Sequence, residues 1–180
     1  MLEVSRRMNI VFLHEGITRS LIPLLTIAEH HPDCIVGCIL MPTKRANKET
    51  IPQWFVDVDD TASSLLNCVN EGKASGSMNA FLIIREPNSF LQLSVLAAIA
   101  CFNFNYSTNG GRCGKKLLEV LAKHNIRTYP SEISLPFDSY LSKSLHERNE
   151  QIKAAFEKVF GRLAEQWLTE IWGLEPVSYY

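Results

Sequence analysis

The sequence predicts a single α/β domain built on a mostly parallel sheet with helices on both faces. Three observations carry this. Short, continuously apolar runs recur along the chain between stretches of helical periodicity, which is how strands covered on both faces read. Residues 145–172 hold the clearest helical period, with Ile152, Ala155, Phe156, Val159, Phe160, Leu163, Trp167, Leu168 and Ile171 on one face. The chain's 180 residues, 46% hydrophobic and 21% charged, suit one ordinary core and exclude a disordered chain or a fibrous rod. One domain is therefore expected over 1–180, with a core at 9–134 and a long C-terminal helix at about 145–172.

The first strand is the run Asn-Ile-Val-Phe-Leu at 9–13, stopped by His14, Glu15 and Gly16 in a tight turn. A helix follows, capped by Thr18 or Ser20. Leu21, Ile22, Leu24, Leu25, Ile27 and Ala28 share its broad apolar face, and His31-Pro32-Asp33 ends it. Residues 34–40 form the second strand, giving a βαβ opening. Beyond the polar segment 42–52 and the run 53–58, a helix is expected at 61–70, capped by Asp59 or Asp60. Residues 71–77 read as a loop and 80–84 as the fourth strand, closed by Arg85-Glu86-Pro87. Residues 89–98 look helical, 99–106 look like the fifth strand, and 107–114 look like a glycine-rich loop before a short helix at 115–123. Residues 127–134 suit an edge strand, because Pro130 cannot donate to a central ladder. Together these elements describe a Rossmann-like architecture.

Eighteen Lys and Arg against nineteen Asp and Glu leave a net charge of -1, with no basic block to neutralise a run of phosphates. Nucleic-acid binding through bulk charge is disfavoured. The longest apolar stretch, 90–102, is broken by Gln92 and Ser94 and falls short of the roughly 20 residues a bilayer span needs. No membrane partner is expected. With no signal-peptide pattern and five cysteines lacking a C-x-x-C pair, the expectation is a cytoplasmic protein with reduced core thiols. Cys34 and Cys38 share a strand face on this reading, but their apolar neighbours argue against zinc.

Three constellations carry chemistry. In the first, Asp57, Asp59 and Asp60 within Phe-Val-Asp-Val-Asp-Asp-Thr resemble the nucleophile motif of haloacid-dehalogenase-type phosphatases. That resemblance implies a Mg²⁺-dependent phosphatase or nuclease, with Asp57 attacking phosphorus and Asp59 moving protons. The same aspartates also suit a helix cap near Thr61. In the second, Glu15 before Gly16, taken with Asp57 and Asp59, resembles the acidic pattern of toprim nucleases and primases.

The third spans most of the chain. Ile10-Val11-Phe12-Leu13, the helix through Leu25, Ile35 to Leu40, the stretch 56–66, the strand 80–84 with Arg85-Glu86-Pro87, and Phe102-Asn103-Phe104-Asn105-Tyr106-Ser107 together resemble the folate-dependent formyltransferases. In that family the last segment reads apolar-Asn-apolar-His-Pro-Ser, followed by a glycine that Gly114 matches. The resemblance implies a 10-formyltetrahydrofolate donor, no metal, and a pterin lying against Arg85, Glu86 and Pro87. It gives Asn103 the role of stabilising the oxyanion of a tetrahedral intermediate. The family's His stands here as Asn105, which has no titration near neutral pH and cannot shuttle a proton. The family's Asp is missing, and His124 lies near its place. Asn103, Asn105 and His124 are thus the candidate catalytic residues of a divergent formyltransferase-like protein. A non-catalytic interaction or regulatory subunit of the same fold is the alternative.

Other residues add to the pocket. His14 ends the first strand at the carboxyl edge of the sheet, where open α/β folds place ligands. Ser107, Gly110 and Gly111 belong to a loop whose backbone N–H groups can cradle an anion of the substrate. Lys44, Arg45 and Lys48 form a small basic loop suited to a phosphate or a folate tail, and Cys113 is a possible nucleophile. A small molecule is the expected ligand. Trp167 and Trp172 could extend the long helix into a homodimer or protein-partner surface.

Overall fold

The computed structural model describes residues 8–14, 19–44, 61–74, 76–86, 92–103, 107–136 and 143–172. In chain order these form β1 (Asn9–Leu13), α1 (Leu21–His30), β2 (Ile35–Lys44), α2 (Ala62–Asn70) and β3 (Ser77–Arg85). Then come β4 (Leu93–Asn103), α3 (Asn109–Lys123), β5 (Thr128–Pro130), β6 (Leu135–Pro136) and α4 (Leu145–Trp172). The run 53–58 lies outside the described residues.

The chain is α/β, but its sheet is mixed rather than mostly parallel. The hydrogen-bonded order is β1-β4-β3-β2-β5, with β6 pairing the far end of β2. β1 runs parallel to β4 and β2 to β5, while β3 is antiparallel to both its neighbours. The reversal has a simple cause. Only residues 86–92 separate β3 from β4, whereas a parallel crossover needs a dozen or more residues. The Glu86 N–H donates to the Gln92 carbonyl at 2.9 Å and closes the hairpin. The expected βαβ opening also changes its meaning, since β4 and β3 lie between β1 and β2.

Both long crossovers nevertheless obey one rule. From β1 through α1 to β2, and from β4 through α3 to β5, the chain moves three places the same way along the strand order. Leu21 and Leu24 of α1, Leu65 and Val69 of α2, and Leu117 and Leu121 of α3 share one core with Cys38, Leu40, Leu82 and Ala98. Two crossovers on one face moving the same way have the same hand, as chiral packing of helices on a twisted sheet requires. The opposite face is covered by α4. Ile152, Phe156, Val159, Phe160 and Leu163 pack there on Ile39, Phe81, Ile83, Val95 and Ala97, so the stripe read from the sequence is the packing surface over those turns.

The path of α4 follows from its two ends. His14, just past β1, contacts Asn149, and Glu132, just past β5, contacts Arg162. Thirteen helical steps cover about 20 Å, and four strand spacings from β1 to β5 cover about 19 Å. The helix therefore crosses the strands rather than following them. Phe156 falls midway and stacks on Phe81 of β3, the central strand, with ring centroids 5.2 Å apart.

Several local expectations are corrected. Of the expected helix 89–98, residues 93–98 are part of β4: a short, largely apolar run suits a strand between two neighbours as well as a helix, and Val95, Ala97 and Ala98 are buried there. Of the strand expected over 99–106, residues 99–103 belong to β4, and 104–106 lie outside the described residues. Of the expected loop 107–114, residues 109–114 are instead the start of α3, where Gly110, Gly111 and Gly114 are buried. The cap of α2 is Thr61, whose hydroxyl accepts from the Ser64 N–H at 3.1 Å, while Asp59 and Asp60 lie outside the described residues. Ser20 stands at the start of α1 but does not cap through its side chain. Its hydroxyl donates to the Leu13 carbonyl at 3.1 Å and ties helix to strand. Cys34 sits in a 3-10 turn before β2, not on the strand with Cys38. Burial pushes the Cys38 thiol up to about 12, which makes it an inert core group. Among the described residues β5 stands at an edge, as Pro130 required.

Two predictions concern α4. Gly161 is exposed within the helix, and a Cβ added there meets nothing within 4 Å. Gly161→Ala should raise stability by about 0.5–1 kcal/mol through the entropy of the unfolded chain, read as a higher midpoint in a thermal melt. The helix opens with a reciprocal cap. The Ser144 N–H and hydroxyl donate to Glu147 Oε2 at 2.8 and 2.7 Å, and the Glu147 N–H approaches Ser144 Oγ at 3.3 Å. The hydrogen bond from the Ser144 hydroxyl, then that from its N–H, holds the Glu147 carboxyl below its ordinary value. A carboxylate depressed in the folded state contributes stability above the ordinary glutamate value, and loses it as pH falls through the folded value. Urea midpoints at about pH 6 and about pH 3 should fall further for the parent than for Glu147→Gln.

Candidate functional site

The strand directions decide which residues can meet. β1, β2, β4 and β5 all end at one edge of the sheet, the carboxyl edge, and β3 begins there. His14 and Asn103 stand at that edge, at the ends of the neighbouring parallel strands β1 and β4. The end of β4 is irregular. Met78 and Ala80 of β3, two positions apart, pair with Phe102 and Ala98 of β4, four positions apart. Extra residues in one strand bend it and re-aim the side chains beyond, and such bulges concentrate beside functional sites.

Asn79 faces this bulge. It is 1% exposed, and its Nδ2 donates to the Met41 carbonyl at 2.9 Å and to Thr43 Oγ1 at 3.0 Å. The end of β2 is thereby fixed to the strand that opposes the bulge. Past the bulge, Asn103 pairs with Ser77, and its Oδ1 accepts from the Thr108 hydroxyl at 3.1 Å. The same Thr108 oxygen accepts the Gly111 N–H at 3.1 Å and caps α3. One hydroxyl thus uses its proton and a lone pair to join the end of β4 to the first turn of a 15-residue helix. That turn directs backbone N–H groups and the positive end of the helix dipole toward the carboxyl edge. Arg112 Nη2 donates to Asn109 Oδ1 at 2.6 Å on its exposed side.

His14 belongs to the same edge. Its Nε2 lies 2.8 Å from Asn149 Oδ1, and its ring stacks on Phe12 at 6.2 Å. Because a carboxamide oxygen only accepts, Nε2 carries the proton in this contact.

Of the residues singled out in the sequence, the structure gathers Asn103, Ser107, Gly110 and Gly111 at the end of β4 and the start of α3, while His14 stands at the same edge of the sheet but is turned to α4 on the opposite face. It does not bring Arg85, Glu86 or His124 to them. Arg85 pairs with Leu93 at the opposite end of the ladder in which Ser77 pairs with Asn103, eight strand steps or about 26 Å away. Glu86 is engaged locally there, accepting the Ser94 hydroxyl at Oε1. His124 is the C-cap of α3, a full helix length of about 21 Å from the first turn. Its Nε2 is shielded from solvent without a hydrogen-bond partner. The antiparallel course of β3 produces the separation of Arg85 and Glu86 from Asn103. Pro87, Asn105, Glu15, Gly16, Arg45, Lys48, Asp57 and Asp59 lie outside the described residues. Cys113 lies within α3, half-buried against the helix-side core, which suits packing better than attack on a ligand.

Thr108, Asn79 and Asn149 also order this part of the fold, and none of them stood out as a site residue in the sequence. A threonine before Asn-Gly-Gly and a helical run is a legible cap signal for Thr108. Asn149 is 135 positions from its partner, and no local pattern points to it. Among the described residues no group of three His, Cys, Asp or Glu side chains could hold a metal ion, and no helix is long and apolar enough to cross a membrane. Compared with protein-family models, curated proteins and solved structures, the chain finds no match in any of the three.

Proposed function

We propose that this chain is a small-molecule-binding α/β protein whose site is the carboxyl edge at the end of β4 and the first turn of α3. The observation that carries this is the Thr108 hydroxyl, which fixes the Asn103 carboxamide and caps α3 in a single arrangement. The Thr108 hydroxyl holds the Asn103 carboxamide in one orientation beside the first turn of α3. A helix N-terminus beside it favours an anionic group. The carboxyl edge is also where nucleotide-binding sheets of Rossmann kind hold their ligands. The likeness here is one of position at the edge and not of strand order.

The ligand class comes from the resemblance to folate-dependent formyltransferases: a folate or a nucleotide-like molecule with a negatively charged tail. We read the chain as a divergent relative that binds such a molecule without transferring a formyl group. The residues matched to the pterin loop and to the oxyanion centre stand at opposite ends of β3 and β4, and His124 is remote from Asn103. General acid-base catalysis contributes about 10²–10⁴-fold, and Asn105 in place of the family's His removes that contribution.

Calorimetric titration tests this with two probes, 5-formyltetrahydrofolate and ATP. One of them should bind with a dissociation constant below millimolar. Asn103→Ala, shown to be folded by its thermal melt, should weaken it by about tenfold, because Thr108 loses the acceptor that orders the first turn of α3. Failure of both probes to bind at millimolar concentration overturns the proposal, and binding that ignores Asn103→Ala overturns the site. Release of tetrahydrofolate from 10-formyltetrahydrofolate with an amine acceptor would restore formyl transfer and remove the non-catalytic part.

A further inference from the structure

We draw no further inference here: the strongest candidate, the outer edge of β1, where Val11 is 42% exposed and no described strand pairs beyond it, is an unpartnered apolar edge, and nothing in the structure shows what covers it.

Discussion

Replacing Phe156 by Ala should destabilise the protein by about 3–5 kcal/mol, the range for removing a buried aromatic ring. Phe156 is 0% exposed and lies between two other rings, with centroids 5.2 Å from Phe81 and 5.6 Å from Phe160. Truncation removes transfer free energy and leaves a void that neither neighbour can fill without leaving its rotamer. Native stabilities are about 5–15 kcal/mol, so a large fraction is at stake. Urea unfolding should show a lower midpoint with an unchanged slope, and Phe156→Leu should lose markedly less. A loss below about 1 kcal/mol in the alanine variant would mean that α4 does not rest on the centre of the sheet.

The same helix shows what the sequence made legible. Its stripe at 152, 155, 156, 159, 160 and 163 follows from covalent geometry, because only a 3.6-residue period brings those positions together. Its extent, Leu145–Trp172, was readable for that reason. Its course across the strands was not. That depends on Asn149 meeting His14 and Arg162 meeting Glu132, contacts between elements that no local pattern links. Strand pairing was hidden for a related reason. An apolar run of six to eight residues carries no mark of direction, and the antiparallel turn of β3 is set by the seven residues 86–92. A helix assigned over 89–98 concealed how short that connection is, and with it the separation of Arg85 and Glu86 from Asn103.

The candidate site was legible where chemistry coincided with punctuation. His14 follows an apolar run, Asn103 was marked by the resemblance to the formyltransferase motif, and Gly110 and Gly111 open a helix. The groups that fix them are less visible. Thr108 declares itself only once the glycines are placed in a helix rather than a loop, and Asn79 interrupts an apolar strand without announcing its partners. The carboxyl edge is thus ordered by polar groups that serve structure first, which is the condition for holding a ligand-facing side chain in one orientation.

Asn79 is where that condition should fail most visibly. Asn79→Ala removes both donations from Nδ2, leaves the Met41 carbonyl without that donor in a buried setting, and opens a void beside the bulge of β4. Losing these two buried hydrogen bonds costs about 1–3 kcal/mol in all, and the void adds to it, so a loss of about 2–4 kcal/mol is expected. Asn79→Asp should be worse near neutral pH, because a buried carboxylate would face a carbonyl, acceptor against acceptor. Burial raises the folded-state value of such a carboxyl above its unfolded one. The variant should therefore regain stability relative to the parent as pH falls through that raised value, when the protonated acid can donate to Met41. Urea midpoints of parent, Ala and Asp variants from about pH 8 to about pH 5 separate the cases. Equal midpoints for all three at every pH would show that Asn79 does not hold β2 to β3, and would remove the physical basis for a preorganised carboxyl edge.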